Sequence, residues 1–160
     1  MGMFDEFYPQ PPIGCARPEC TGRLIEWQGK YRGNCLFQWR QGVLAPFDQR
    51  ASEDCKLDVP QLSKIRLPQN GSIPARHGNC DRCNAAAPFS IECITDVDGC
   101  WTATRVIGQV SAGQILESGW VQCLKCLDAI PEVAGKEVYL CPSCKSVIFL
   151  RTQLLPVRMK

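Results

Sequence analysis

At 160 residues, with 45% hydrophobic and 21% charged side chains, the chain has the composition of one ordinary globular domain or two small ones, not of a disordered segment. No apolar run approaches the roughly 18–20 residues that cross a bilayer. The opening Met1-Gly2-Met3-Phe4-Asp5-Glu6-Phe7 lacks the basic and apolar regions of a secretory signal, and no Ser or Thr stands where a myristoylated Gly2 would want it, so a cytoplasmic protein without a membrane partner is expected. The formal charge of +2 is offset if the cysteines hold zinc: each four-thiolate zinc site carries about −2, and two of them bring the total to about −2. Bulk charge therefore gives no argument for nucleic-acid binding.

Residues 1–14 combine Phe4, Phe7 and Tyr8 with Pro9, Pro11 and Pro12, and read as an extended N-terminal arm. A β module spanning 15–108 follows. It starts with the loose pair Cys15/Cys20, then short strands at Leu24–Trp27 and Cys35–Arg40 joined through Gly29–Asn34. Trp27 and Trp39 read as core or cross-strand partners. The stretch 42–75, with Pro46, Pro60, Pro68, Pro74 and the Asn70-Gly71 turn signal, reads as a long insertion. Beyond Cys80-Asp81-Arg82-Cys83, the alternation over Phe89–Ile94 predicts a strand, Asp98-Gly99 a hairpin turn, and Trp101–Ile107 the returning strand. Residues 109–119 read as a linker. A C-terminal unit over 120–151 then repeats strand and knuckle, with strands at Lys136–Leu140 and Val147–Arg151, and 152–160 form an apolar tail. Only Ala51–Leu57 and Cys126–Ala134 offer weak helix signals, the second limited by Pro131. The expected fold class is mostly β: small zinc-stapled modules with long loops and little helix.

Twelve cysteines stand against one histidine, and three pairs are spaced Cys-x-x-Cys: Cys80/Cys83, Cys123/Cys126 and Cys141/Cys144. Such a turn converges two thiolates on one tetrahedral ion, and two turns complete a site. Disulfides are the alternative for all of them, but the clustering and the missing export signal favour metal-bound thiols. The second ligand set, Cys15, Cys20, Cys80 and Cys83, is a pairing across a long excursion; Cys35, Cys55, Cys93 or Cys100 could replace members of it. Cys93 and Cys100 would sit out of register for a bridge if Val97 pairs with Cys100. Cys35 and Cys93 are expected to be small buried hydrophobes. His77, three residues before Cys80, is either a ligand or a solvated side chain. Two zinc ions are expected in all.

Cys123-Leu124-Lys125-Cys126 followed by Cys141-Pro142-Ser143-Cys144 resembles a zinc ribbon, and the resemblance covers Trp120 to Arg151. It implies a closed structural site, with Lys125 and Lys145 offsetting thiolate charge. Rubredoxin-like proteins share the ligand set but usually carry glycine where this chain has Lys145, and iron–sulfur clusters commonly group three cysteines more tightly. The opening Met-Gly-x-Phe-Asp-Glu, the proline-rich stretch, Glu26-Trp27-Gln28-Gly29-Lys30 and Cys35 resemble small uncharacterised proteins of bacteriophages and bacteria, which typically show Phe-Gln-Thr-Lys at the third motif. Their later part often has a knuckle, a strand and an acidic-Gly-x-Trp turn, as Cys80 to Trp101 does here. That resemblance implies a phage or mobile-element setting and no known activity.

There is no Gly-rich phosphate loop, Gly-x-Ser-x-Gly or His-Glu-x-x-His, and one imidazole cannot serve as both base and ligand, so no enzyme and no small-molecule substrate are expected. An interaction or assembly module, docking on a virion or on host machinery, is the leading expectation. A nucleic-acid-binding zinc ribbon is the alternative, with Arg17, Arg23, Lys30, Arg32 and Arg40 interleaved with Trp27, Tyr31 and Trp39. A cysteine-based redox protein is a second alternative, weakened by the lack of a βαβ pattern.

Overall fold

The computed structural model describes residues 4–31, 35–50 and 57–150. Among them the chain is almost entirely β. The first sheet is built from β1 (Asp5–Tyr8), β2 (Ile13–Gly14), β3 (Arg23–Gly29), β4 (Leu36–Arg40), β5 (Asp48–Arg50), β6 (Ser72–Cys80), β7 (Ser90–Thr95) and β8 (Trp101–Ile107). The second uses β9 (Val110–Leu116), β10 (Trp120–Cys123), β11 (Ala129–Pro131), β12 (Val138–Leu140) and β13 (Val147–Phe149). A single short helix, α1 (Val59–Leu62), is closed by a capping box in which Asp58 and Gln61 satisfy each other's backbone N–H groups.

The first sheet runs β5-β4-β1-β3-β6-β7-β8, with β2 added onto β3; β1 and β4 are parallel and the other pairs antiparallel. It curls on itself. Beyond β4, Gly42 N–H donates to the Trp101 carbonyl at 2.7 Å, and Thr104 Oγ1 donates to Gln41 Oε1 at 2.9 Å. Phe7 of β1 then meets Trp101 of β8 edge to face, with ring centroids 5.9 Å apart. Strict alternation drives the inner face: Ile91, Cys93 and Thr95 of β7 are buried while their neighbours are half-exposed. In β3 a register shift between Leu24 and Trp27 lets both point inward although three positions apart. Trp27, Trp39 and Trp101 are all within the core, as their strand positions imply.

The second sheet runs β11-β10-β9-β13-β12, with β9 and β13 parallel. It does not stand apart from the first. Val138, Val147 and Phe149 belong to the same buried cluster as Phe7, Trp27 and Ile91. Phe89 bridges the two, touching Trp27 at 5.4 Å and Phe149 at 5.7 Å between centroids.

Three stretches differ from their sequence reading. The N-terminal arm contains β1, an interior strand of the first sheet, with Asp5, Glu6 and Phe7 buried. Its carboxylates are buried because they have partners: Asp5 accepts from the backbone N–H of Phe37 at 2.9 Å and of Tyr31 at 3.1 Å, and Glu6 accepts from Gln38 Nε2 at 2.6 Å. The insertion 42–75 contains β5, α1 and the start of β6, where Pro74 is tolerated beside the irregular register at Gly29. The linker 109–119 is largely β9, the middle strand of the second sheet. Of the weak helices, Ala51–Leu57 falls almost wholly outside the described residues, and Cys126–Ala134 holds β11 instead. The hairpin turn closes one residue earlier than expected: Asp96 N–H donates to Cys100 O, Cys100 N–H donates to Asp96 Oδ1, and Gly99 N–H donates to Asp96 O within the turn. Gly99 has φ +81°, and a side chain there would meet the Leu67 carbonyl at 2.4 Å.

Candidate metal centres

Three of the four cysteine turns share one backbone design. The residue four places after the first cysteine (Asn84, Leu127 or Lys145) has a left-handed φ of 55°, 66° or 61°. Its N–H returns to the carbonyl of Cys80, Cys123 or Cys141 at 3.0, 2.7 and 3.0 Å respectively. The first cysteine's own N–H reaches the residue five ahead: Ala85, Asp128 or Ser146. This closes a tight loop that aims both sulfurs the same way. The fourth turn, Cys15–Cys20, is longer and is held by Cys15 N–H to Gly22 O at 3.0 Å and Cys20 N–H to Arg17 O at 3.2 Å.

The turns face each other in pairs. Cys15, Cys20, Cys80 and Cys83 form one group of sulfurs and Cys123, Cys126, Cys141 and Cys144 another, each within 4.8 Å throughout. The shortest separations are 3.7 Å for Cys15–Cys83 and Cys20–Cys80, 3.7 Å for Cys123–Cys144 and 3.6 Å for Cys126–Cys141. A tetrahedron with zinc–sulfur bonds of 2.3 Å has edges of about 3.8 Å. A disulfide would need about 2.05 Å, and all eight cysteines are free. The donor set and its spacing therefore fit a tetrahedral, thiophilic ion, with zinc a good match.

In each group one thiol is drawn toward the thiolate while others are held protonated, Cys80 by burial in the first group and Cys126, at about 12, beside the neighbouring sulfurs in the second. The Cys83 thiol is brought down to about 6 by the Ala85 backbone N–H, and Cys144 to about 6 by the hydroxyl and backbone N–H of Ser146. Burial pushes Cys15 up to about 12 in the absence of an ion. Backbone N–H groups of Gly22 and Arg82 also point at Cys20 and Cys80 Sγ, each at 3.4 Å. The centres differ in access: in the second, Cys126 is exposed to solvent.

Both expected ligand sets are thus brought together, with no fifth cysteine in either among the described residues. His77 lies on the exposed side of β6, opposite Gln28, and is in neither group. Cys93 is fully buried, as expected, whereas Cys35 is half-buried and disulfide-bonded rather than a simple buried hydrophobe. Cys100 is a free, half-buried thiol, and Cys55, Arg32 and the tail 152–160 lie outside the described residues. Lys125 and Lys145 stand exposed in water. The cation at the first centre is instead Lys136, whose buried ammonium donates to the carbonyls of Cys15 and Cys20, the latter at 2.6 Å. No local signal marks it, because the knuckle it serves is more than a hundred residues away in sequence. Among the described residues no helix is long and apolar enough to cross a membrane.

The fold and sites define a mostly β protein with two four-cysteine, zinc-compatible modules. No protein-family model, curated protein or solved structure matches the chain.

Proposed function

We propose that the chain is a non-enzymatic zinc protein that acts as an interaction or assembly module, docking on a larger protein complex. The closed four-sulfur geometry carries this reading. Four thiolates fill a tetrahedral shell and leave no position for an activated water or a substrate. In this role the ions replace hydrophobic core that short strands cannot supply. Ile115, Trp120, Leu124 and Leu127 stand exposed along the β9–β10 hairpin and its knuckle, where a protein partner would cover them. The phage or mobile-element setting, with a virion or host machinery as the complex, rests on the sequence resemblance of Met1 to Arg40 and of Cys80 to Trp101 and forms part of the same proposal.

The nucleic-acid alternative loses two of its three stacking aromatics, since Trp27 and Trp39 are core residues with 0% and 1% exposure and only Tyr31 is half-exposed. The redox alternative lacks the helix N-terminus that activates such thiols: the one helix among the described residues, α1, carries no cysteine. Native mass spectrometry of the purified chain, paired with gel shifts on generic single- and double-stranded DNA, tests the proposal. Two zinc ions per chain and no salt-sensitive DNA complex are expected. A shift that weakens steeply with salt would transfer the reading to nucleic-acid binding, and a zinc-free chain with reversible disulfides would transfer it to redox chemistry.

A further inference from the structure

The geometry points to the two sulfur centres forming one cooperative unit coupled through Lys136, so that an ion at Cys123, Cys126, Cys141 and Cys144 strengthens ion binding at Cys15, Cys20, Cys80 and Cys83, and the reverse. The inference rests on the zinc reading above and goes beyond it.

The first centre is lopsided. Its Cys80 turn is closed by the tight bonds from Asn84 N–H to Cys80 O and from Cys80 N–H to Ala85 O, whereas the longer Cys15–Cys20 turn spans more residues on two backbone bonds and takes a further hold from outside. Lys136 Nζ takes the carbonyls at both ends of that turn, Cys15 O and Cys20 O, from a side chain that is 6% exposed. A buried ammonium is costly unless paired. Two carbonyls offset part of that cost, and the net charge of about −2 on a four-thiolate zinc centre offsets more. Filling the first centre therefore favours the seated ammonium, and seating the ammonium orders the turn that fills it.

Lys136 belongs to the other module. It sits on the turn between β11 and β12, where its N–H bonds to Val133 O at 3.1 Å and its ammonium lies 5.3 Å from the Tyr139 ring centroid. The Tyr139 hydroxyl fixes the turn by accepting from Val133 N–H at 3.0 Å. The second centre holds both flanks of this turn: β11 pairs with β10, which ends at Cys123, and β12 leads into Cys141. A further bond joins the ligand neighbours directly, from Leu140 N–H to Ala16 O at 2.8 Å. Losing the ion at the second centre frees β11, β12 and the turn between them, and with these the clamp on the first. Linkage then requires the effect to be equal in both directions.

The test titrates the full-length chain with Zn2+ against a chromophoric chelator, alongside Cys141→Ser/Cys144→Ser, Cys80→Ser/Cys83→Ser and each of these combined with Lys136→Met. Deleting either centre should lower the zinc affinity of the other by the same factor, about tenfold or more. With Lys136→Met, which keeps the aliphatic stem, that factor should fall toward one. A lysine that merely stabilised the fold would weaken binding yet leave the reciprocal factor unchanged. Indole resonances of Trp27, Trp39 and Trp101 report whether the first sheet stays folded. If a deletion unfolds it, native mass spectrometry at half-loading decides: coupling through Lys136 keeps the one-zinc population of the unmodified chain below that of Lys136→Met, and equal one-zinc populations in the two overturn the proposal. Two zinc ions bound with affinities indifferent to each other's site overturn the coupling and leave the zinc reading standing. Failure to bind two ions at all overturns the zinc reading itself.

Discussion

A methyl group on Gly22 would lie 2.3 Å from Cys80 Sγ and 2.9 Å from Asp81 Oδ1. No real side chain fits there without moving the ligand turn, so Gly22 is what lets the β2–β3 end approach the sulfurs of the other hairpin. Gly22→Ala should lower zinc affinity at the first centre about 10- to 100-fold, the range seen when a ligand's supporting contacts are lost. Chelator competition checks it, and unchanged affinity would show that the backbone relaxes freely. Asp5 presents the opposite situation, a buried charge-bearing group with good partners. Burial raises its carboxyl to about 6, against the backbone N–H bonds from Phe37 and Tyr31 that favour ionisation. Because the folded value exceeds the unfolded 3.8, the stability this group contributes is full below 3.8 and is lost as pH rises through about 6. A carboxyl-carbon NMR titration should place the Asp5 midpoint near 6. Asp5→Asn should cost about 1–3 kcal/mol at neutral pH, since an amide turns one acceptor into a donor facing an N–H.

The knuckles are the most legible elements, because their chemistry is local. Cys-x-x-Cys followed by a left-handed residue is written within six positions, and the strands on either side alternate plainly, as in β7. What could not be read was set by distant partners. Asp5 and Glu6 look like a solvated acidic start, yet Phe37, Tyr31 and Gln38, about thirty residues away, bury them in β1. Val110–Leu116 contains a glycine and little alternation, yet it is a strand because β10 and β13 pair on both its sides. Gly113 there lets Ile148 of β13 come within 2.3 Å of where a Cβ would stand. Lys136 carries no local mark at all. At this scale β13 makes the sharpest prediction. Phe149 is 7% exposed and packs on Phe89, so Phe149→Ala should destabilise the fold by roughly 3–5 kcal/mol. Denaturant unfolding followed by tryptophan fluorescence in a Trp120→Phe background, which leaves Trp27, Trp39 and Trp101, reads the loss from the first sheet, although the substitution lies in the second. An unmoved midpoint would mean that the sheets unfold independently.

Over the whole molecule, two sheets share one buried cluster, and a four-sulfur centre staples each of them. The centres stand at turns between strands, where strands alone would fray. Ions bound there would be part of the folding energy rather than an addition to it. The central claim is that eight cysteine sulfurs form two complete coordination shells. Zinc K-edge X-ray absorption on the purified, metal-loaded chain, with zinc counted per chain, tests it most directly. The account predicts two ions per chain and an average shell of four sulfurs at about 2.3 Å with no nitrogen or oxygen contribution. A mixed shell, or a single ion per chain, would contradict it.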